Sequence, residues 1–164
     1  MVVMSKSNPT KDIDYVGAQV AERLRDEGYR IIAYGARRLK HLRRVPHQYI
    51  EKPSLQQLNE LYMRATIMIK ATRYDARSTS PIEAMTKGTV TARAIIEGDD
   101  DLEHEINCLK VGYNVRDLHA AALRLLRDAD LRNRLAKNCA DHIEVNCDWD
   151  KTMFEINEII TNSK

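Results

Sequence analysis

The sequence predicts an α/β protein built on a Rossmann-like parallel sheet with helices on both faces. Three observations carry this. Short apolar runs alternate with longer amphipathic segments along nearly the whole 164-residue chain. The short runs are continuously apolar rather than alternating, the pattern of strands buried on both faces. No internal repeat, low-complexity tract or glycine-serine linker interrupts the alternation, so residues 1–164 read as one domain.

The elements follow in order. "MVVMS" opens the chain as a short strand, and Asn8-Pro9 brings turn chemistry after it. From Lys11 onward, Ile13, Val16, Val20, Ala21 and Leu24 recur at helical spacing, and the helix stops near Gly28. "YRIIAYGA" is a buried strand, "RRLKHLRRVPH" a basic segment and "HQYIEK" a short strand. Ser54 with Gln57 three residues later is a capping box opening "SLQQLNELYMRA". "TIMIKAT" is a β-branched strand, and "SPIEAMTKG" a short helix closed by Gly88. "TVTARAI" returns to strand, residues 98–107 form an acidic loop or helix, and "CLKVGY" is a weaker last strand. "DLHAAALRLLRD" and "ADLRNRLAKNCADHIEV" are amphipathic helices with Leu123, Leu125, Leu126 and Leu135 in the core. A last helix runs from Asp150 through "KTMFEINEII". Its Met153, Ile156, Ile159 and Ile160 form an apolar stripe that would promote dimers if left uncovered.

Composition excludes several classes. Hydrophobic residues make up 43% and charged residues 30%, which rules out a disordered chain. A net charge of +2 does not announce a nucleic-acid binder. The longest apolar run, "ATIMI", is far short of a membrane span, and no secretory signal pattern opens the chain. Cys108, Cys139 and Cys147 are odd in number and form no C-x-x-C, which fits reduced thiols in a cytoplasmic protein and no metal site. His41, His47, His104, His119 and His142 have no ligand spacing and read as structural or exposed. The acidic "GDDDLEHE" reads as complement to a helix dipole rather than as a cation site.

Ligands of an open parallel sheet sit beyond the carboxyl ends of its strands. Three loops fall there: "SKSNPTK" with Lys6 and Lys11, "GARR" with Gly35, Arg37 and Arg38, and "RYDARSTS" with Asp75. The third ends at a helix N-terminus led by Ser80 and Pro81, whose amides favour anions. Lysines and amides together suit a diphosphate; the carboxylates Asp75 and Glu83 suit hydroxyl groups. Each feature also has an ordinary reading. Ser80-x-x-Glu83 is a capping box with Pro at the first helical position. Asp75 alone reads as a solvated loop residue, and Lys6 and Lys11 as surface lysines. The cluster Arg37, Arg38, Lys40, Arg43 and Arg44 is a solvated face, with an anionic membrane or a nucleic acid as its alternative partners.

The spacing Asp75, "ARSTSPI", Glu83, then "AMTKGTV" resembles the strongest motif of the family 4 glycosyltransferases. This is an acid, seven residues and a glutamate, in the C-terminal, donor-binding half of their two-domain GT-B fold. "SKSNPTKDID" is similar to the family's basic motif, supplying Lys6, Pro9, Lys11 and Asp14, and "LRLLRDADLRNRLAKN" with Trp149 is similar to its tail. The resemblance covers nearly all of the chain. It implies a retaining transferase that moves a hexose or deoxyhexose from a nucleoside-diphosphate sugar to a glycan or lipid-linked acceptor, without a metal. Lys6 and Lys11 would hold the diphosphate and stabilise it as it leaves; Asp75 would contact the transferred sugar and Glu83 the ribose. The amides of Ser78, Thr79 and Ser80 would approach the phosphates, and the base would lie near Gly35 and Ile50. The chain departs from the family in Asp75 for glutamate, "ARS" for "GFG", Lys6 for arginine and "GTVT" for "GTPV". The family's N-terminal acceptor domain is absent from these residues. The isolated chain is therefore expected to bind donor weakly and to transfer nothing. The implied location is the cytoplasm, with the inner face of the membrane as a peripheral contact. A non-catalytic Rossmann-like module that binds a nucleotide or a protein is the alternative.

Overall fold

A computed structural model describes residues 1–5, 15–35, 46–75, 78–96, 102–147, 150, 153, 154, 156, 158 and 161. Among them are six strands: β1 (Val2–Ser5), β2 (Ile31–Gly35), β3 (Gln48–Glu51), β4 (Ile67–Lys70), β5 (Val90–Ala94) and β6 (Leu109–Val111). Five helices lie among the described residues: α1 (Val16–Asp26), α2 (Leu55–Arg64), α3 (Thr79–Met85), α4 (Val115–Arg127) and α5 (Ala129–Asn146). The strands form one parallel sheet in the order β3-β2-β1-β4-β5-β6. The Rossmann-like class read from the apolar runs is the observed one. The strand order reverses at β1, between β2 and β4, and a doubly wound sheet opens a ligand crevice at that reversal.

Burial explains the continuous apolar runs. Odd and even positions of the inner strands face two different helical layers, so neither can be polar. Val2, Met4, Ile31, Ala33, Ile67 and Ile69 pack with Val20, Leu24, Leu118, Leu125 and Leu135 from α1, α4 and α5. Val3, Ile32 and Met68 pack on the other face with Leu61, Tyr62 and Ala84 from α2 and α3. Each fully buried aliphatic side chain of this kind contributes roughly 1.5–3 kcal/mol. Leu125 and Leu135 are in the core as expected, whereas Leu123 and Leu126 are only partly buried and sit at the margin of the first cluster.

The helix ends follow local chemistry. α1 ends before Gly28, which adopts φ 89°, a left-handed conformation that glycine takes without steric cost. α2 starts on the predicted capping box: the Ser54 amide donates to Gln57 Oε1 at 2.9 Å and the Gln57 amide to Ser54 Oγ at 3.2 Å. Asn114 caps α4 by accepting from the Asp117 amide at 2.9 Å. Asp128 closes α4 and caps α5, accepting from the Leu131 amide at 2.8 Å.

Two expectations need correcting. The acidic segment has no helix start to complement among its described residues. Residues 105–107 form a turn in which the Glu103 amide donates to Asn107 Oδ1 at 2.9 Å, and β6 follows. The turn is held from outside by Arg124 on Glu105 and by Asn138, which donates to the Ile106 carbonyl at 2.8 Å. The second is Ser80, which is not the N-cap of α3; Ser78 is. Of the last helix, Met153, Phe154 and Ile156 are exposed; Ile159 and Ile160 lie outside the described residues.

Candidate functional site

The carboxyl ends of β1, β2 and β4 carry polar side chains on one face of the sheet. In-register pairing builds the row: Ser5 lies beside Tyr34, Lys70 beside Arg93, and Arg93 beside Lys110. Ser5 and Lys70 each stand one residue beyond the paired Met4 and Ile69. The row therefore crosses the strand-order reversal, with α2 and α3 covering the same face. Lys70 is 7% exposed and Arg93 0%, a costly burial for cations unless their charge is answered.

Lys70 is answered on two sides. Its ammonium donates to Ser80 Oγ at 3.3 Å and lies 3.8 Å from Asp75 Oδ2. The Asp75 side chain is 13% exposed, so it is a half-buried ion-pair partner and not the solvated loop residue that it would be in isolation. The Ser80 hydroxyl in turn donates to Ser5 Oγ at 3.5 Å.

Beside this cluster two buried tyrosines meet edge to face, their ring centroids 6.0 Å apart. The hydroxyls of Tyr34 and Tyr62 are 2.6 Å from each other. Burial pushes the Tyr34 phenol above its usual range; hydrogen bonds with Ser5, Tyr62 and Ser80 oppose that, and the Glu83 charge adds to it. Tyr62 is raised chiefly by burial, then by Tyr34 and by the Glu83 carboxylate within hydrogen-bond reach. Tyr62 is itself anchored, its carbonyl accepting from the Thr89 hydroxyl at 2.5 Å. Asp75, Lys70, Ser80 and Ser5 thus form one polar cluster and the Tyr34–Tyr62 pair a second beside it, with the Glu83 charge close enough to act on both phenols.

This resolves the two readings of "STSPIE". The N-cap of α3 is Ser78, not Ser80, and no side chain caps the helix. Ser80 lies inside the first turn and Pro81 one residue further, where a proline still removes no intrahelical donor. The capping-box reading of Ser80 and Glu83 is therefore wrong: Ser80 turns toward Lys70 and Ser5, and Glu83 toward Tyr62. Ser78 is buried, Thr79 and Glu83 are exposed, and Ser80 is half-buried. Gly35 ends β2, its carbonyl accepting from the Lys52 amide at 2.8 Å, and Ile50 pairs with Tyr34 next to it.

Lys6, Lys11, Pro9 and Asp14 lie outside the described residues, as do Arg37, Arg38, Lys40, His41, Arg43, Arg44, Ala76, Arg77 and Trp149. Of the proposed ligands, the structure brings together Asp75 and Ser80 in the polar cluster, with Glu83 beside the tyrosine pair and Gly35 one residue from Tyr34. His47, His104, His119 and His142 have structural or exposed roles. The His47 ring accepts from the Ile31 amide at 3.2 Å, and His119 lies 2.8 Å from Glu27. No group of three or more metal-ligating side chains occurs among the described residues. No helix of the described residues is long and apolar enough to cross a membrane.

Sequence reasoning missed Lys70, Arg93, Tyr34 and Tyr62. A signal was present for the first two: a lysine closes the apolar run "TIMIK", and an arginine sits inside "TVTARAI". A charge within a strand buried on both faces needs a partner, and Lys70 reaches the carboxyl edge, where Asp75 and Ser80 meet it. The tyrosines left no such signal, because a phenol is equally at home in a core.

The fold is similar to that of the C-terminal halves of solved GT-B glycosyltransferases. The C-terminal domain of the group 1 glycosyl transferase LpcC from Francisella tularensis superposes with a TM-score of 0.70 at 14% identity, over 90% of this chain and 86% of that one. HepE from Anabaena, in complex with UDP-glucose, matches at TM-score 0.79 and 14% identity, over 98% of this chain and 48% of HepE. A point mutant of S. aureus TarM, in complex with Fondaparinux, alpha-GlcNAc-glycerol and UDP, matches at 0.78 and 19%, over 96% of this chain and 34% of TarM. At these identities the likeness is one of fold, and the chain spans only a third to a half of the larger structures. No family model matches the chain, and no curated protein matches its sequence.

Proposed function

We propose that the chain is the nucleotide-sugar-binding domain of a retaining glycosyltransferase, its donor lying across the carboxyl ends of β1, β2 and β4. The observation that carries the reading is the polar cluster of Asp75, Lys70, Ser80 and Ser5 at the strand-order reversal, with the Tyr34–Tyr62 pair and Glu83 beside it. Such a crevice is where this sheet class holds ligands, and two acids fixed there suit the hydroxyls of two sugars. Glu83 takes the ribose, Asp75 the transferred hexose or deoxyhexose, and the base lies beside Gly35 and Ile50. Lys6 and Lys11, with the amides of Ser78, Thr79 and Ser80, take the diphosphate and stabilise its growing charge as the glycosidic bond breaks. No metal is assigned, since lysines and amides supply the positive potential. A glycan or lipid-linked acceptor is held by a second domain.

The comparisons support this reading through fold, and HepE and TarM, whose structures hold UDP or UDP-glucose, share it. The test is calorimetric titration of the chain with UDP, ADP and GDP and their glucose conjugates. Weak, saturable binding to one base is expected, reduced at least tenfold by Glu83→Ala and by Lys11→Ala. Binding that ignores both substitutions, or affinity for duplex DNA with a steep salt dependence and none for nucleotides, contradicts it.

A further inference from the structure

Lys70 is buried at the end of β4, yet nothing in the proposed donor chemistry uses it. Its contacts include Asp75 and Ser80. Residues 71–75 follow β4 without helix or strand of their own, and the Lys70 ammonium is one of the contacts that fix where the Asp75 carboxylate points. Aspartate is also short, with one rotatable carbon between backbone and carboxyl group, so its reach depends on how the segment is held. Lys70 ties that segment to α3 through Ser80, and Ser80 ties it onward to Ser5 on β1.

We propose that Lys70 is a positioning residue of the donor site: its ammonium holds the Asp75 carboxylate and the Ser80 hydroxyl, and so sets where Asp75 meets the transferred sugar. This rests on the donor-site reading above. A carboxylate accepts up to about four hydrogen bonds, so pairing through Oδ2 is compatible with accepting from a sugar hydroxyl. Lys70 is 7% exposed and turned toward these two protein groups, which distinguishes it from a cation presented to the phosphates. Methionine in its place keeps the volume and the apolar stem while the charge is lost; the cost of leaving the mostly buried Asp75 carboxylate without that ammonium is removed in the double variant K70M/D75N, which serves as the folded control.

The test compares wild type, Lys70→Met, Lys70→Arg, Asp75→Asn and the double variant K70M/D75N. Each is titrated with UDP and UDP-glucose, or with whichever base binds. The quantity read is the ratio of the two affinities, which isolates the sugar. K70M is expected to lower that ratio about tenfold, the size of one lost charge-assisted hydrogen bond, with affinity for the bare nucleotide unchanged. D75N lowers it equally, the double variant falls no further, and K70R restores most of it. A ratio unchanged in K70M overturns the proposal. Equal losses for nucleotide and nucleotide sugar also overturn it, since Lys70 would then act on the diphosphate, directly or through Ser80, and not on the sugar through Asp75. Absence of any nucleotide binding in wild type defeats the donor-site reading instead. Lys70 is then judged by amide hydrogen exchange over residues 72–80, which must quicken in K70M and recover in K70R. Unchanged exchange sinks the positioning role as well.

Discussion

Removing one hydroxyl from the Tyr34–Tyr62 pair tests that buried contact by thermodynamics alone. Tyr62→Phe deletes one side of a 2.6 Å contact between two buried phenols. Tyr34 does not become an orphan, because Ser5 and Ser80 remain beside its hydroxyl. The cost is therefore that of one net hydrogen bond, about 1 kcal/mol, without the larger penalty of an unsatisfied buried group. For a chain of this size that is a melting point lower by about 3 °C. Tyr34→Phe costs a similar amount, since Tyr62 keeps Glu83 in reach. The double variant Y34F/Y62F leaves two rings of the same shape and no phenol without its partner, and should cost less than the sum. A coupling of roughly 0.5–1.5 kcal/mol between the singles is expected from a direct hydrogen bond. The alkaline limb gives a second reading. Both phenols are held above the ordinary value of 10.0, so the folded state resists losing their protons. Their contribution is complete below pH 10.0, the unfolded value, and declines as pH climbs beyond it toward the raised folded values. Wild type should lose stability above that pH more steeply than Y34F/Y62F. Urea denaturation of the four proteins at neutral pH and above pH 10 measures both effects. Additive single variants and superimposable alkaline limbs would refute the linked network.

Three further outcomes follow from the same geometry. Ser54→Ala removes a true N-cap and should destabilise by about 1 kcal/mol in chemical denaturation, whereas Ser80→Ala removes no cap and should show itself in donor binding instead. Leu24→Ala opens a cavity at a fully buried position and should cost about 2–5 kcal/mol, read from the same denaturation curves. Burial and the nearby Cys108 push the Cys139 thiol up to about 12, and it donates to the Asn107 carbonyl at 2.7 Å. A thiol reagent at pH 8 should therefore modify the half-buried Cys147 well before Cys139, and denaturant should abolish the difference.

Much of the fold could be read directly from residues. Continuous apolar runs such as "YRIIAYG" and "TIMIK" are strands because both their faces are covered, and Ser54-Gln57 is a capping box because both partners are placed to close it. The site was legible as a pattern of acids and a sheet edge, but not as a network. Ser80 matched the capping-box pattern equally well, and what decided against it was tertiary: a buried lysine ten residues earlier claimed its hydroxyl. Periodicity reports which face a residue occupies and is blind to which polar group it meets there. The acidic segment failed for a related reason. Charge suggested a helix terminus, while the contacts that shape the turn come from Arg124 and Asn138 on helices far along the chain.

The most direct test of the central claim is a crystal structure of the chain with the nucleoside-diphosphate sugar that it binds best. The account predicts the ligand at the carboxyl ends of β1 and β4, with Glu83 on the ribose hydroxyls and Asp75 on the transferred sugar. Its diphosphate should face the amides of Ser78, Thr79 and Ser80. A ligand seated instead in the groove lined by Arg30, Gln48, Gln57 and Arg64, or a crevice that stays empty at saturating concentration, would contradict it.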